Sequence, residues 1–451
     1  MNVQQFQERL FTKGHDLGFT DMELYYEREE KFSCGVFKGE IDKYESSEIA
    51  GISFRGIYNG KMGYAFTEKL DDESVHYLLE HAKENSLIIE DEDKEEIFAG
   101  SKEYREENFY SDNLSRVTPE DKINVMLEIE KEIYAYDERV KATDYFILSS
   151  SEAEKAISNN KGLFLQDKTN SLGFYVSVVV KQGEEIKTGS YVKVTKDFSS
   201  IDPKQVAKQA VEEALSQLNA QSIASKKYPV LLRHDAAASL IQTFIPVFSA
   251  ENTQKGQSRL KGKVGETIGV SSLNIVDDPF LPNGLLSRNF DGEGVATKTL
   301  QLVSNGVLTT FLHNRKTAAK DGVESTGHAH KSSYKSSITV SPSNLYIEPT
   351  SKSYNELVTT IDEGIIITDL SGLHSGANQI SGDFSLAANG YYVKGGKIVT
   401  AVNQMTIAGN FYELLNSITE IGSDLDFTPW ATNGFVGSPS LLVQELSVTV
   451  E

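Results

Sequence analysis

GISFRGIYNGKMGYAFT, residues 51–67, decides the fold class of the first part of the chain. Apolar and small or polar side chains alternate on both sides of Asn59-Gly60, a dipeptide that accepts the positive φ values of a two-residue hairpin turn. Two antiparallel strands are therefore expected around it. Toward the N-terminus, MELYYERE (22–29) and KFSCGVFKGE (31–40) alternate in the same way and extend the meander. A helix is expected before them, from about Val3 to His15, because Val3, Phe6 and Leu10 fall at helical spacing and Gly18 follows its end. A second is expected from about Asp72 to Lys83, with Val75, Leu78, Leu79 and Ala82 on one face. Residues 1–89 thus read as a small N-terminal α+β domain.

Farther out, residues 90–117 read as an acidic connector, with EDEDKEE at 90–96 and EYREEN at 103–108. Such a run has too few apolar side chains to form a core of its own and reads as solvated. Thr118-Pro119 and Asp202-Pro203 each supply an N-cap and a first-turn proline for a helix. Strand-like stretches lie between them, so residues 118–226 read as a middle α/β domain. Residues 227–451 form the last unit, with short β-like segments such as TLQLVSNGVLTTFLH (299–313), GYYVKGGKIVT (390–400) and SLLVQELSVTV (440–450). One long apolar helix is expected there, from Asp235 to about Phe248. The whole is an α+β protein whose C-terminal domain is large, mainly antiparallel and barrel-like.

Composition excludes several functions. The 65 acidic residues outnumber the 44 basic ones, a formal net charge of −21. Such a surface repels a phosphate backbone, so direct nucleic-acid binding is not expected. No apolar run approaches the ~20 residues that span a bilayer, and the N-terminal MNVQQFQERLF lacks the pattern of a secretory signal. A cytoplasmic location is the default expectation. The single cysteine, Cys34, allows no internal disulfide and reads as a buried strand residue.

The eight histidines contain no H-E-x-x-H. His328 and His330 are two apart, an arrangement that places both on one face of a strand. As a metal pair they would need a third ligand from elsewhere. Asp291 and Glu293, in FDGEG, form an acidic turn able to face a cation, although a plain hairpin turn accounts for the same residues. Gly262, Gly265 and Gly269 are spaced as turn glycines and not as a dinucleotide fingerprint. There is no G-x-S-x-G and no P-loop. Residue chemistry alone announces no active site.

Six separated stretches carry a resemblance. GISFRGIYNGKMGYAFT resembles the first-domain signature of the TldD/PmbA family, known as modulators of DNA gyrase and as the TldD–TldE metalloprotease. KGQSRLKGKVGE (255–266), FDGEGVATKTLQLVSNGVLTTFLHNRKTA (290–318), STGHAH (325–330), SGDFSLAANGYYVKGGKI (381–398) and MTIAGNFYELLNSITEIGSDL (405–425) follow in that family's C-terminal order. The TldD kind of subunit carries H-E-x-x-x-H on a helix, its two histidines and a cysteine near its C-terminus ligating zinc and its glutamate serving as general base. Counted without gaps from KGQSRLKGKVGE, this chain has Ile241, Gln242 and Pro246 at those motif positions, and DFTPWATNGFVGSPSLL (426–442) has no cysteine. The STGHAH stretch looks more like the PmbA version than the TldD one.

The resemblance therefore implies a PmbA (TldE)-type subunit with no catalytic residues and no metal of its own, zinc being expected in a TldD-type partner. It implies a heteromeric protease acting on unfolded or extended peptides, and admits a homodimer when the chain is alone. Two other functions stay open at this point. One is a regulatory protein binding DNA gyrase or another basic partner. The other is an independent hydrolase using a cleft around His328, His330, Asp291 and Glu293.

Overall fold

The computed structural model describes residues 1–88, 95–428 and 434–450. The chain begins with helix α1 (Val3–Asp16), closed at its N-terminus by a capping box between Asn2 and Gln5. Strands β1 (Phe19–Phe37), β2 (Glu40–Tyr58) and β3 (Lys61–Thr67) follow, then helix α2 (Asp72–Ile88). The hairpin between β2 and β3 turns at Asn59 and Gly60, with φ of 50° and 77°, as a mirror-image turn requires. Next come the short helix α3 (Asp112–Ser115), helix α4 (Pro119–Tyr136), strands β4 (Val140–Asn159), β5 (Phe164–Gln182) and β6 (Glu185–Thr195), and helix α5 (Pro203–Ser216). Thr118 and Asp202 cap α4 and α5, each with proline at the first turn.

MELYYERE and KFSCGVFKGE, read from the sequence as successive segments, lie on one strand. β1 runs unbroken for 19 residues because its polar middle, Arg28 to Lys31, is paired on both sides. The six strands form one sheet in the order β3-β2-β1-β4-β5-β6. Against one part of it, α1 and α2 bury Phe6, Leu10, Val75, Leu78 and Leu79 with Phe19, Leu24 and Phe54. Against the other, α4 and α5 bury Met126, Ile129, Ile133, Val206 and Val211 with Cys34, Leu148, Phe174 and Val176. Cys34 is fully buried, and burial pushes its thiol up to about 11, so it is a packing residue at neutral pH.

The last unit opens with strand β7 (Lys226–Leu232) and helix α6 (His234–Phe244). After these come β8 (Ile275–Asp277), β9 (Leu300–Ser304), β10 (Val307–Leu308), β11 (Ala329–His330), β12 (Thr339–Val340) and β13 (Asn344–Ile347). The final strands are β14 (Glu363–Ser371), β15 (Asp383–Lys394), β16 (Lys397–Ala401), β17 (Met405–Asn410), β18 (Ile418–Ile421), β19 (Asp426–Phe427), β20 (Phe435–Ser438) and β21 (Leu441–Val450). Neighbours pair in the order β14-β7-β21-β17-β15, and β14 also pairs with β15, which closes a five-strand barrel. Only the β7–β14 pair in that ring is parallel.

Period-two alternation sorts the barrel residues. Val230, Leu232, Ile365 and Ile367 join a core with α6, whereas Leu231 and Ile366 join a cluster on the other face with Leu357 and Val393. A second sheet, β10-β9-β8-β13-β20-β19, adds Leu302, Val303, Leu345 and Val436 to the core that holds α6. The helix expected from Asp235 to about Phe248 is shorter. α6 ends at Phe244 and continues as a 3-10 turn over Ile245–Phe248, because Pro246 brings no N–H for an α-helical bond. No helix of the described residues is long and apolar enough to cross a membrane.

Candidate functional site

α6 positions the first set of sequence-predicted residues. Arg233, just before it, grips Asp235 at 2.5 Å and Glu213 of α5 at 3.1 Å, so the start of the helix is tied to the middle of the chain. Ile241 is 1% exposed and packs in the core with Leu240 and Phe244. Phe244 stacks on Phe411, ring centroids 4.5 Å apart. Gln242 lies on the other side. Its Nε2 donates to Gly434 O at 3.1 Å and to Thr428 Oγ1 at 3.3 Å.

Gln242 also lines a cleft of about 1060 Å³ with Thr243, His374, Gln379 and Asp383. Gln379 Nε2 donates to Thr243 O at 2.9 Å, linking the 373–385 segment to the end of α6. From the C-terminal stretch without cysteine, Pro429 to Asn433 lie outside the described residues.

Asp291 and Glu293 sit in a buried hairpin turn bridged by Phe290 and Ala296. The Asp291 carboxylate is an internal acceptor, taking the N–H groups of Glu293 at 2.9 Å, Val295 at 3.0 Å and Ala329 at 3.0 Å. Glu293 accepts from Arg315 N at 2.8 Å and lies 3.9 Å from Arg55, which is itself held by Glu23 at 2.7 Å. Burial, then the Asp291 carboxylate beside it, push the Glu293 carboxyl up to about 7.

The sign of the pH effect follows. An unfolded glutamate ionises near pH ~4.3, so from there to about 7 the unfolded chain gives up a proton that folded Glu293 keeps; stability falls through that window, and the full cost is present above it. Glu293→Gln should therefore raise the melting temperature relative to wild type more at pH 8 than at pH 5. Paired thermal melts at the two values check this, and an equal shift at both would refute it.

His328 and His330 have different surroundings. The strand expected to carry both is only Ala329–His330. His328 is buried, its Nε2 donating to Asp277 at 2.9 Å and its Nδ1 2.8 Å from Thr326 Oγ1. Asp277 also accepts from Ser343 N at 2.8 Å and from Ser343 Oγ. This buried knot holds β8 to the segment before β13. His330 instead faces a different cleft with Arg288 and Lys331, and burial followed by the positive charge of Arg288 pulls its imidazole down to about 4. Sequence reasoning missed Arg288, Lys331 and Asp277, for no motif or spacing marks them.

The acid-rich stretch is also engaged where it is described. Glu95 pairs with Lys316 at 3.1 Å, Tyr104 donates to Gly294 O at 2.7 Å, and Glu107 N donates to Asn289 Oδ1 at 3.0 Å. From residue 95 onward the connector is thus docked along the C-terminal unit and not merely solvated. Residues 90–94 lie outside the described residues.

Comparison with known proteins gives a consistent result along the chain. Residues 225–450 match the PmbA/TldA metallopeptidase C-terminal domain, residues 112–218 the central domain, and residues 22–86 domain 1. An uncharacterized protein of Methanocaldococcus jannaschii is 31% identical over 414 residues, covering 90% of this chain and 92% of the relative. The metalloprotease PmbA of Escherichia coli O157:H7 is 24% identical over 335 residues, 74% of this chain and 71% of its own length.

Among solved structures, a candidate modulator of a DNA gyrase from Thermotoga maritima superposes with a TM-score of 0.92 at 34% identity, covering 99% of this chain and all of that one. TldE from Thermococcus kodakarensis shares the fold, with a TM-score of 0.90 at 24% identity and coverage of 98% and 100%.

A metallopeptidase implies zinc, and the residues at the motif positions in α6 and the turn after it do not fit that ion. Ile241 and Pro246 carry no side-chain donor atom, and the Gln242 amide nitrogen is engaged with Gly434 and Thr428. No three His, Cys, Asp or Glu side chains among the described residues are grouped to hold a metal.

Proposed function

Because the chain belongs to the TldD/PmbA metallopeptidase family, we propose that it is the TldE-type subunit of a heteromeric zinc protease and does no chemistry itself. A TldD-type partner would hold the zinc, and the substrate would be an unfolded or extended peptide. What carries this is α6 and the turn after it, with Ile241 in the core, Gln242 turned to the main chain at Gly434, and Pro246 within that 3-10 turn. Gln242 cannot act as a base toward water, since an amide does not titrate. The cleft of about 1060 Å³ beside it is wide enough for a peptide segment, and main-chain hydrogen bonds would hold such a segment with little sequence preference.

Gyrase binding through an acidic face draws no support from residues 95–107, where Glu95 and Glu96 lie against Lys316 and Arg315. An independent hydrolase at the histidines draws none from His328, whose ring nitrogens are both occupied.

The test is hydrolysis of an unfolded peptide by this chain, by a TldD-type subunit, and by the mixture, each with and without a chelator. Chelator-sensitive cleavage is expected in the mixture only. Cleavage by this chain alone, after verified removal of metal, would overturn the assignment.

A further inference from the structure

The first six strands are built as two halves on one plan. Helix, three strands and helix run from α1 to α2, and the same succession runs from α4 to α5. The sheet order β3-β2-β1-β4-β5-β6 reads alike from either edge. β1 and β4 pair antiparallel, with Glu30 opposite Glu152, so a half-turn about that centre exchanges the halves. On β1, Leu24 lies under α1 and α2, and Cys34 under α4 and α5. Both are even-numbered residues of one unbroken ladder, so all four helices share one face of the sheet.

The other face is covered on one half only. There, Tyr25 and Ile157 pack with Phe290 and Tyr334 of the C-terminal unit. A Cβ on Gly51 would lie 2.4 Å from the Tyr334 ring, and the Glu27 carboxylate accepts from Tyr334 N at 2.8 Å. The corresponding surface of the second half is open. Tyr145 is 52% exposed, Ile186 58% and Phe37 41%. Gly189 of β6 abuts α5, so Ile186 points away from the helices. A groove of about 510 Å³ runs over Ser33, Ser149, Gly173 and Tyr175, and a second of about 300 Å³ continues it over Gly35 and Tyr145, with Ile147 lining both. The lysines at the rim are answered within the chain, Lys43 lying 3.3 Å from Glu45 and Lys31 2.9 Å from Glu29. An apolar surface, not an ion, is what such a face fits.

We propose that this half of the sheet is the seat of the partner subunit, which lays its own C-terminal unit there. The proposal rests on the heteromeric assembly put forward above. Two observations choose the occupant. The covered half shows what this face takes, a C-terminal unit of this fold seated by an aromatic ring over a glycine. The open half adjoins that interface without a break, for Leu285 lines both its groove and the junction of β1, β4 and β5 with the C-terminal unit. A TldD-type subunit, as a member of the same family, brings such a unit.

The experiment mixes the full chain with a TldD-type subunit, follows association by sedimentation velocity, and maps Tyr145 and Phe37 by hydroxyl-radical footprinting. Both side chains are expected to lose reactivity on mixing. Tyr145→Lys with Ile186→Lys should weaken association about tenfold or more, because it sets two charges in an apolar interface. Both residues are exposed, so the variant should melt as wild type does. Tyr77→Lys, at an exposed position on α2, should associate as wild type does.

The outcomes separate the seat from the assembly. Association with undiminished reactivity at Tyr145 and Phe37, or with the double variant binding equally, would overturn the seat and leave the heteromer standing. No association of the wild-type chains would overturn both. Protection of Tyr145 in this chain alone, at concentrations where it dimerises, would put a second copy in the seat and overturn the choice of partner.

Discussion

Returning the family's motif residues to α6 and the turn after it, as I241H, Q242E and P246H together, is expected to give a protein that holds no zinc and melts far below wild type. Position 241 is the reason. Ile241 is 1% exposed and packed among Leu240, Phe244 and the barrel residues Ile365 and Ile367. Replacing it with an imidazole removes an apolar side chain from a close-packed site and buries ring nitrogens with no partner in view, at a cost of about 3–5 kcal/mol.

The other two changes do not repay that. Gln242 Nε2 donates to Gly434 O and Thr428 Oγ1, so Q242E, which sets a carboxylate against that carbonyl, should itself cost about 1–2 kcal/mol. Pro246 lies in the 3-10 turn that feeds Val247 and Phe248 into the same core. Metal analysis after dialysis against zinc, with thermal melts of the triple and single variants, checks all of this. One equivalent of zinc bound with a wild-type melt would show that α6 is a metal site lacking only its ligands.

Gly390→Ala is expected to cost about 3 kcal/mol, at the upper end of overpacking effects, with a fall in melting temperature on the order of 10 °C. A Cβ at Gly390 would lie 1.8 Å from the main-chain oxygen of Ile366, with Ile367 Cα at 3.1 Å. The obstacle is backbone, so no side-chain rotation relieves it. The position also matters for closure. Gly390 on β15 pairs with Ile367 on β14, next to the register shift between Ile367 and Asp369, and this is the ladder that completes the ring. Urea and thermal unfolding measure the loss, and a wild-type midpoint would mean that the two strands do not approach as closely as described.

Local features of the fold were legible in the sequence wherever a short-range rule applied. Thr118-Pro119 and Asp202-Pro203 start helices, and Asn59-Gly60 turns a hairpin. The many short alternating segments after residue 227 form sheets and a barrel. The length of β1 was not legible, because Arg28, Glu29, Glu30 and Lys31 interrupt the apolar alternation. Their backbone is nevertheless paired with β2 on one side and β4 on the other, a long-range fact.

At the candidate sites, the positions of Ile241, Gln242 and Pro246 came only from the family resemblance, since nothing in their own chemistry marks them. His328 and His330 looked alike by spacing. Asp277, 51 residues away in sequence, captures one, while Arg288 stands beside the other. The place of Arg288 beside His330 is invisible in sequence, because segments far apart in the chain bring the two together.

The barrel has a consequence for how the protein is made. β7 lies between β14 and β21, so a strand ending at Leu232 has its antiparallel neighbour only in residues 441–450. At ~5–20 residues per second on the ribosome, roughly 10–40 s separate the two. For that interval Val230, Leu231 and Leu232, all fully buried in the finished molecule, have one edge without a mate. The first six strands can be assembled by then, since all of them are encoded before residue 196. The nascent chain therefore passes through a stage with a finished front and an open, sticky rear, and that rear is the surface a chaperone would have to guard.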